Sequence, residues 1–472
     1  MMSVISNVLE EVRQAFMSVF GHEIDERFLN LSPTKKEFEG DYTFVVFPMV
    51  KALKSAPDKI ADQLGKELVS FSELIKEYNV VKGFLNLSLT DQFWYLCLDE
   101  LRDDKFAKAE ARNERIVVEF SSPNTNKPLH LGHIRNILLG WSVAQIAANR
   151  GYDVVKTQII NDRGIAICKS MMAWQMFGQG ATPESTATKG DHFVGQYYVA
   201  FDRAIQEEYK EWQEVEGQEL YKEKSKEGET MEDFFKRFKN QYFNEYSPLG
   251  RDTKKMLIKW EQGDEEVVAL WRKMNGWVYE GFDVTYDNLG VEFDTINYES
   301  ETYLLGKDAI AKGLESGIFY QMDDGSVWID LEDAGMDKKL VLRSDGTSVY
   351  MTQDIGTAQM RYRLHKMDSM VYVVGDEQDY HFKVLFEILK RLNEPYADGL
   401  YHLSYGMVDL PTGKMKSREG TVVDADDLIK EVIGEARKAS RERGAVAHLS
   451  EKEQEAIFEK IGLAALKYFI IK

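Results

Sequence analysis

The chain has 472 residues, too many for one ordinary domain, and its 44 % hydrophobic and 29 % charged content describes a globular protein of two or three domains. A net charge of −20 excludes a general polyanion binder, because nonspecific nucleic-acid affinity comes from Lys and Arg; nucleic acid would be met only on a local surface. The two cysteines, Cys97 and Cys168, are too few for a metal cluster and fit buried thiols in a reducing compartment, so zinc is not expected.

The N-terminus, Met1 to Glu11, lacks a basic region followed by an apolar one, and no apolar run nears the roughly 18 residues of a membrane span. A cytoplasmic location without a membrane partner is expected. Ser3 to Phe20 repeats apolar residues at helical spacing, as does Pro57 to Val69. Gly40 to Phe47 reads as a turn and a strand, and Val80 to Leu89 as a half-buried strand. These make a small α+β domain, followed by a charged helix from Asp91 and a linker ending near Glu114.

Ile116 to Phe120 is a β-branched strand, Ser121 to Lys127 is loop chemistry, and Pro128 suits the first turn of a helix that ends at Gly151. His130 and His133 share one face of that helix start, where free N–H groups and the helix dipole favour an anion. Asp153 to Ile160 is a second strand leading into the polar turn Asn161 to Gly164, so a parallel βαβ unit is expected. From about Gly178 to Asn288 the pattern becomes acidic, aromatic-studded helix, an insertion whose Trp212, Trp260 and Trp271 read as core residues. Strands are expected at Ser326 to Leu331, Leu340 to Met351, Val371 to Val374 and Leu403 to Val408. Helices are expected at Ile355 to His365 and Phe382 to Leu392. The alternation on both sides of the insertion indicates a doubly wound α/β sheet split by it. Pro411 to Gly420 is a flexible basic loop. The last segment opens on a capping box, Ser450 with Glu453, and stops at Lys472 in mid-pattern, which reads as a truncated helical region.

Neither a Gly-x-x-x-x-Gly-Lys-Ser/Thr loop nor a Gly-x-Gly-x-x-Gly is present, which disfavours P-loop NTPases and dinucleotide dehydrogenases. Phosphate would then be held by imidazoles and amides at His130-Leu131-Gly132-His133, with Gly132 letting an adenine ring lie close to the main chain. Taken alone, the pair serves equally well as two structural histidines. His22, His192 and His402 lie outside any motif and read as structural or surface residues; His381 could approach a site.

His130-Leu131-Gly132-His133 resembles the HIGH motif of class I aminoacyl-tRNA synthetases, and Lys414-Met415-Lys416-Ser417-Arg418 resembles their KMSKS loop. Glu119-Phe120-Ser121-Ser122-Pro123-Asn124, Lys127-Pro128, Arg343 to Tyr350 and Thr352-Gln353-Asp354 are similar to arginyl-tRNA synthetases in particular, as is Lys82 to Asn86 to the end of that family's N-terminal domain. The resemblance implies a Rossmann-like class I catalytic domain at 113–424 with its insertion. A tRNA-contacting α+β domain would occupy 1–112, and an all-α anticodon-binding region would start at 425–472 and continue beyond Lys472. It implies a cytoplasmic, monomeric ligase that joins L-arginine to its tRNA with ATP, magnesium being carried by the ATP and the first step needing tRNA. With most of that region missing, the chain would charge tRNA poorly.

The same resemblance assigns His130, Gly132, His133, Lys414 and Met415 to ATP, the two histidines and Lys414 being catalytic. Glu119, Asp354 and Tyr350 would hold the guanidinium, a fork of donors that pairs best with carboxylates. Ser122, Asn124, His133 and Gln378 would hold the amino-acid backbone. Ser417 stands where the family's second loop lysine belongs, and Lys127 is the candidate that replaces its charge; the alternative is a solvated loop lysine. Two rivals stay open: a small-molecule nucleotidyltransferase with the same histidine chemistry, and a catalytically silent tRNA-binding paralogue.

Overall fold

The computed structural model describes residues 3–102, 108–408, 422–444 and 446–472. The chain divides into two compact units, Met1–Glu110 with Asn149–Gly151, and Ala111–Ala148 with Tyr152–Lys472. In the first, helices α1 (Ser3–Phe20), α2 (Pro57–Phe71) and α3 (Asp91–Arg102) accompany strands β1 (Leu31–Pro33), β2 (Tyr42–Val45), β3 (Ile75–Val81) and β4 (Phe84–Leu89). The sheet is antiparallel in the order β1-β2-β4-β3. Val8, Val12 and Phe16 of α1 share a fully buried core with Leu64, Leu68, Phe44, Leu85 and Leu87. The single strand expected over Val80 to Leu89 is instead a hairpin. Lys82 (φ 49°) and Gly83 (φ 79°) turn the chain in the left-handed region, the conformation a two-residue hairpin loop requires. A Cβ on Gly83 would lie 2.7 Å from Pro57 Cβ, so the turn also needs the missing side chain.

The second unit is organised by five parallel strands, β5 (Arg115–Glu119), β6 (Asp153–Ile160), β7 (Thr295–Tyr298), β11 (Ser369–Gly375) and β12 (Leu400–Tyr405), in the order β12-β11-β5-β6-β7. The chain winds outward in one direction from β5 through β7 and in the other from β11 to β12. The crevice beyond the carboxyl ends of β5 and β11 is therefore the switch point at which such sheets bind ligands. Helix α4 (Leu131–Asn149) crosses from β5 to β6 and buries Ile134, Ile137 and Leu138. Pro128, expected in its first turn, lies ahead of the helix, because the chain from Pro128 to His130 runs extended beside residues 423–425. A separate antiparallel sheet holds β8 (Tyr320–Gln321), β9 (Val327–Ile329) and β10 (Lys339–Leu342).

Helices fill the interval between β6 and β7: α5 (Ile165–Phe177), α6 (Gly190–Glu214), α7 (Met231–Gln241), α8 (Pro248–Glu261) and α9 (Glu265–Leu289) are the longer ones. Trp212 packs among Tyr209, Phe235, Phe238 and Tyr242, as expected of a core residue. Trp271 does more: its indole N–H donates to the Asp162 carbonyl at 2.6 Å, tying α9 to the end of β6. The strand expected over Leu340 to Met351 stops at Leu342. A turn over Arg343 to Thr347 follows, and α10 (Lys307–Glu315) is answered by α11 (Tyr350–His365), which starts five residues earlier than its apolar pattern suggested. Helix α12 (Asp379–Arg391) then leads to β12, which ends at Tyr405 and not at Val408. The loop Pro411 to Gly420, with Lys414 and Met415, lies outside the described residues. Helix α13 (Ala425–Arg443) packs against α14 (Glu451–Ile471), whose Ser450 and Glu453 form the expected capping box. These two helices fall in the same compact unit as the parallel sheet. Among the described residues, no helix is long and apolar enough to cross a membrane.

Candidate active site

The turn leaving β5 is held in a conformation its residues resist. Ser121 (φ 76°) and Ser122 (φ 42°) are both left-handed, at a cost of about 1 kcal/mol or more each, which persists only where the surroundings over-determine the backbone. Asn136 of α4 supplies much of that constraint. Its Oδ1 accepts from the Ser121 N–H (2.6 Å), and its Nδ2 donates to the Val373 carbonyl (2.7 Å) and Tyr405 Oη (2.8 Å). One buried amide thus pins β5, β11 and β12 to the helix behind them. Ser121 Oγ meets Tyr286 Oη at 2.7 Å, and the Asn161 N–H donates to the Pro123 carbonyl at 2.9 Å.

His130 and His133 cap each other. The Gly132 N–H donates to His130 Nδ1 (3.2 Å), and the His130 N–H donates to His133 Nδ1 (3.1 Å), an imidazole version of the reciprocal capping box. The Leu131 N–H goes to the Val423 carbonyl (2.9 Å), while those of His133 and Ile134 go to the His130 carbonyl. This corrects the expectation of free amides at the helix start: from His130 to Ile134 each N–H already has a partner. What the motif offers an anion is side-chain donors. Because each Nδ1 accepts a backbone proton, the neutral rings carry their hydrogens on Nε2. They are neutral: burial first, then the Lys127 charge, pulls His130 down to about 4, and burial, His130 and Lys127 hold His133 well below the ordinary histidine range.

An open cavity of about 1140 Å³ lies at the switch point, lined by Asn124, Lys127, Arg163, Glu299, Tyr350, Asp354, Gln378 and His381 among others. Five residues expected at the site, Asn124, Lys127, Tyr350, Asp354 and Gln378, therefore come together. Asp354 Oδ2 contacts His381 Nε2 at 2.6 Å, which gives this histidine of the first turn of α12 its place. Glu299, which no sequence motif marked, stands on the same wall. Burial first, together with Asp162 and Asp354 and against the pull of Arg163, pushes its carboxyl up to about 7. Arg163 is held by Glu261 (2.7 Å) and by the Tyr303 ring (3.9 Å to the centroid).

Glu119 is placed differently from the expectation. It is buried, and its Oε2 is taken by Arg361, itself 1 % exposed and bonded through Nε to Asn297 Oδ1 at 3.1 Å. Only Oε1 is left toward the turn, where Ser122 Oγ donates at 3.3 Å. Glu119, Ser122, His130, Gly132 and His133 are not part of the large cavity's lining. Lys127 bridges to a second cavity of about 370 Å³, which Val422 and Asp424 also line. Val423 and Ala425 pair with Leu131 and Leu129, so the described chain resumes after the basic loop directly beside the histidine pair.

A five-stranded parallel sheet divided by helices, with a His-x-Gly-His at the first helix start, defines a class I aminoacyl-tRNA synthetase. Residues 99–180 and 211–472 match the model described as tRNA synthetases class I (R), catalytic domain, and residues 4–89 match the arginyl tRNA synthetase N terminal domain. The chain is 50 % identical over 464 residues to an arginine–tRNA ligase of Amoebophilus asiaticus, covering 98 % of this chain and 74 % of that protein. It is 48 % identical to one of Bacteroides thetaiotaomicron, covering 100 % and 76 %. The chain belongs to the arginyl-tRNA synthetase family. Its fold matches the Thermus thermophilus arginyl-tRNA synthetase structure with a TM-score of 0.63 at 21 % identity, over 98 % of this chain and 75 % of that one.

Proposed function

We infer that the chain is an arginine–tRNA ligase. The arginine carboxylate attacks the α-phosphorus of ATP in line, forming arginyl-adenylate and releasing pyrophosphate. A hydroxyl of the terminal adenosine of tRNA then attacks the arginyl carbonyl, and AMP leaves with the bonding pair. The observation that carries this reading is the cavity at the switch point, which Asp354, Tyr350, Asn124 and Lys127 line together. Asp354 and Tyr350 take the guanidinium, with Glu299 as a further acid; Glu119 contributes through its remaining oxygen and through Ser122. Asn124, Gln378 and His133 hold the amino-acid backbone.

ATP lies along the histidine pair, whose Nε2–H groups donate to its phosphates, and magnesium arrives as part of that substrate. The enzyme's task is to stabilise charge spreading over the phosphates. Lys127 supplies a cation where Ser417 leaves one missing from the basic loop, with Lys414 and Met415 as the loop's own contacts. Residues 1–112 contact tRNA, 113–424 catalyse with the helical insertion at about 178–288, and 425–472 begin an anticodon-binding region. The protein works as a cytoplasmic monomer.

The test is arginine-dependent pyrophosphate exchange with and without tRNA. Exchange that needs arginine and tRNA is expected; exchange driven by another amino acid would sink the reading. Lys127→Ala should lower adenylate formation at least tenfold, and near wild-type rates would return Lys127 to a solvated loop.

A further inference from the structure

Beside the histidine pair lies a group of charges that the reaction scheme leaves unused. Lys189, just ahead of α6, donates from Nζ to Asp426 Oδ2 (2.6 Å), Thr285 Oγ1 (2.6 Å) and Asp191 Oδ2 (3.2 Å). His192 Nε2 sits 3.1 Å from Asp424 Oδ2 and 3.3 Å from Asp426 Oδ2, an ion pair shared between two carboxylates. Asp191, His192 and Asp426 have the donors of a metal site, but the Lys189 ammonium already bonds both of those carboxylates and serves as the local cation. The Asp191 side chain is fully buried and that of Asp426 is 8 % exposed, so these charges require their counter-charges.

Asp424 is the member that faces the chemistry. Its backbone is the antiparallel partner of His130, and the flanking bonds Leu131 N–H to Val423 O (2.9 Å) and Ala425 N–H to Leu129 O (3.0 Å) fix that pairing. Its Oδ1 caps α13 by accepting from the Asp426 and Asp427 N–H groups (2.9 and 3.2 Å). Its Oδ2 is left for His192. A bare carboxylate at that position would repel a triphosphate drawn to His130, and in a partly buried setting the repulsion is poorly screened. Lys189 and His192 set two positive charges against the three carboxylates of Asp191, Asp424 and Asp426. Removing His192 would double the uncompensated negative charge.

We propose that His192 is a positioning residue of the ATP site, neutralising Asp424 and holding it as the backbone partner of His130. The proposal rests on the reading of His130 as an ATP contact. Contacts with Asp424 and Asp426 push His192 up to about 10, which keeps it an imidazolium at neutral pH.

The experiment measures the KM for ATP and the KM for arginine separately in tRNA-saturated exchange, with ATP affinity also read by calorimetric titration. His192→Gln is expected to weaken ATP by about tenfold and leave the arginine KM within about twofold. The double variant His192→Gln with Asp424→Asn should recover most of the ATP affinity, since Asn keeps the helix cap and removes the charge. His192→Lys, which retains the cation, should stay near wild type even if the Gln variant folds poorly. A double variant worse than the single one, or equal weakening of ATP and arginine, would overturn the proposal and leave His192 a structural tether. His130→Ala is the control: if it leaves ATP affinity unchanged, the placement of ATP fails, and that failure is told apart from one of His192 alone.

Discussion

At Glu119, Ser121 and the histidine pair the polar groups are already engaged within the chain. Glu119 is locked to Arg361, Ser121 to Asn136 and Tyr286, and the two imidazoles to the amides beneath them. The stretch from Tyr350 to Gln378 is arranged the other way. Tyr350 is 76 % exposed, the Asp354 carboxylate is 41 % exposed, and both look into the cavity. The first region is preorganised: strained backbone and a buried ion pair leave it little to rearrange. The second presents acceptors that a guanidinium can reach without first breaking a protein contact of comparable strength, His381 excepted. On the function proposed above, rigidity would serve the reaction step and exposure the choice of amino acid.

The contrast breaks most visibly if the buried side is deprived of one partner. Arg361→Met leaves the Glu119 carboxylate buried without its counter-charge, a change that costs about 3–5 kcal/mol. Chemical denaturation should show that loss, together with failure of both ATP and arginine binding, because Glu119 ends the strand from which the whole turn departs. On the open side, Asp354→Asn should leave the melting temperature within about a degree while raising the arginine KM on the order of a hundredfold, the loss of a charge-assisted pair. The ATP KM should hardly move. Comparable losses for both substrates would mean that Asp354 shapes the site and does not read the guanidinium.

The sequence exposed the open side better than the closed one. Tyr350, Asp354 and Asn124 lie in motifs, and motif residues that face the cavity are free to do what their chemistry suggests. The strand Asp153–Ile160 was legible from its β-branched residues, and the helix Ser3–Phe20 from its apolar residues at helical spacing. What stayed hidden depends on partners far away in the chain. Arg361 meets Glu119 across 242 residues and Asn136 meets Tyr405 across 269, distances at which no local pattern records the pairing. The mutual capping of His130 and His133 was hidden differently, since histidine is not a usual capping residue and the spacing suggested open amides. Leu340 to Met351 misled because β-branched Thr347 and Val349 follow the true strand through a turn.

A smaller effect separates the two sides by pH. Glu299 titrates near 7, so raising the pH from 6 to 8 gives the open wall another negative charge, while the guanidinium of arginine stays charged throughout. The arginine KM should fall severalfold over that interval, and Glu299→Gln should abolish the trend. A KM that rises with pH would remove Glu299 from arginine recognition.

The smallest expected effect belongs to the closed side, and it is the sharpest test of the neutral histidine pair. His130 is pulled down to about 4 and His133 lower than usual, so between pH 5.5 and 8 neither ring gains a proton in the folded enzyme. The ATP KM should carry no inflection from these residues in that range, and nitrogen-15 chemical shifts should show hydrogens on Nε2 and bare Nδ1 atoms at both. The sign for stability follows from the same shift. The unfolded chain takes a proton on each histidine near 6.5, the folded one on His130 only near 4, so acidification through that window favours unfolding. An imidazolium signal at pH 6.5 from either ring would mean that phosphate meets cations there, and that the caps on Gly132 and His130 open in solution.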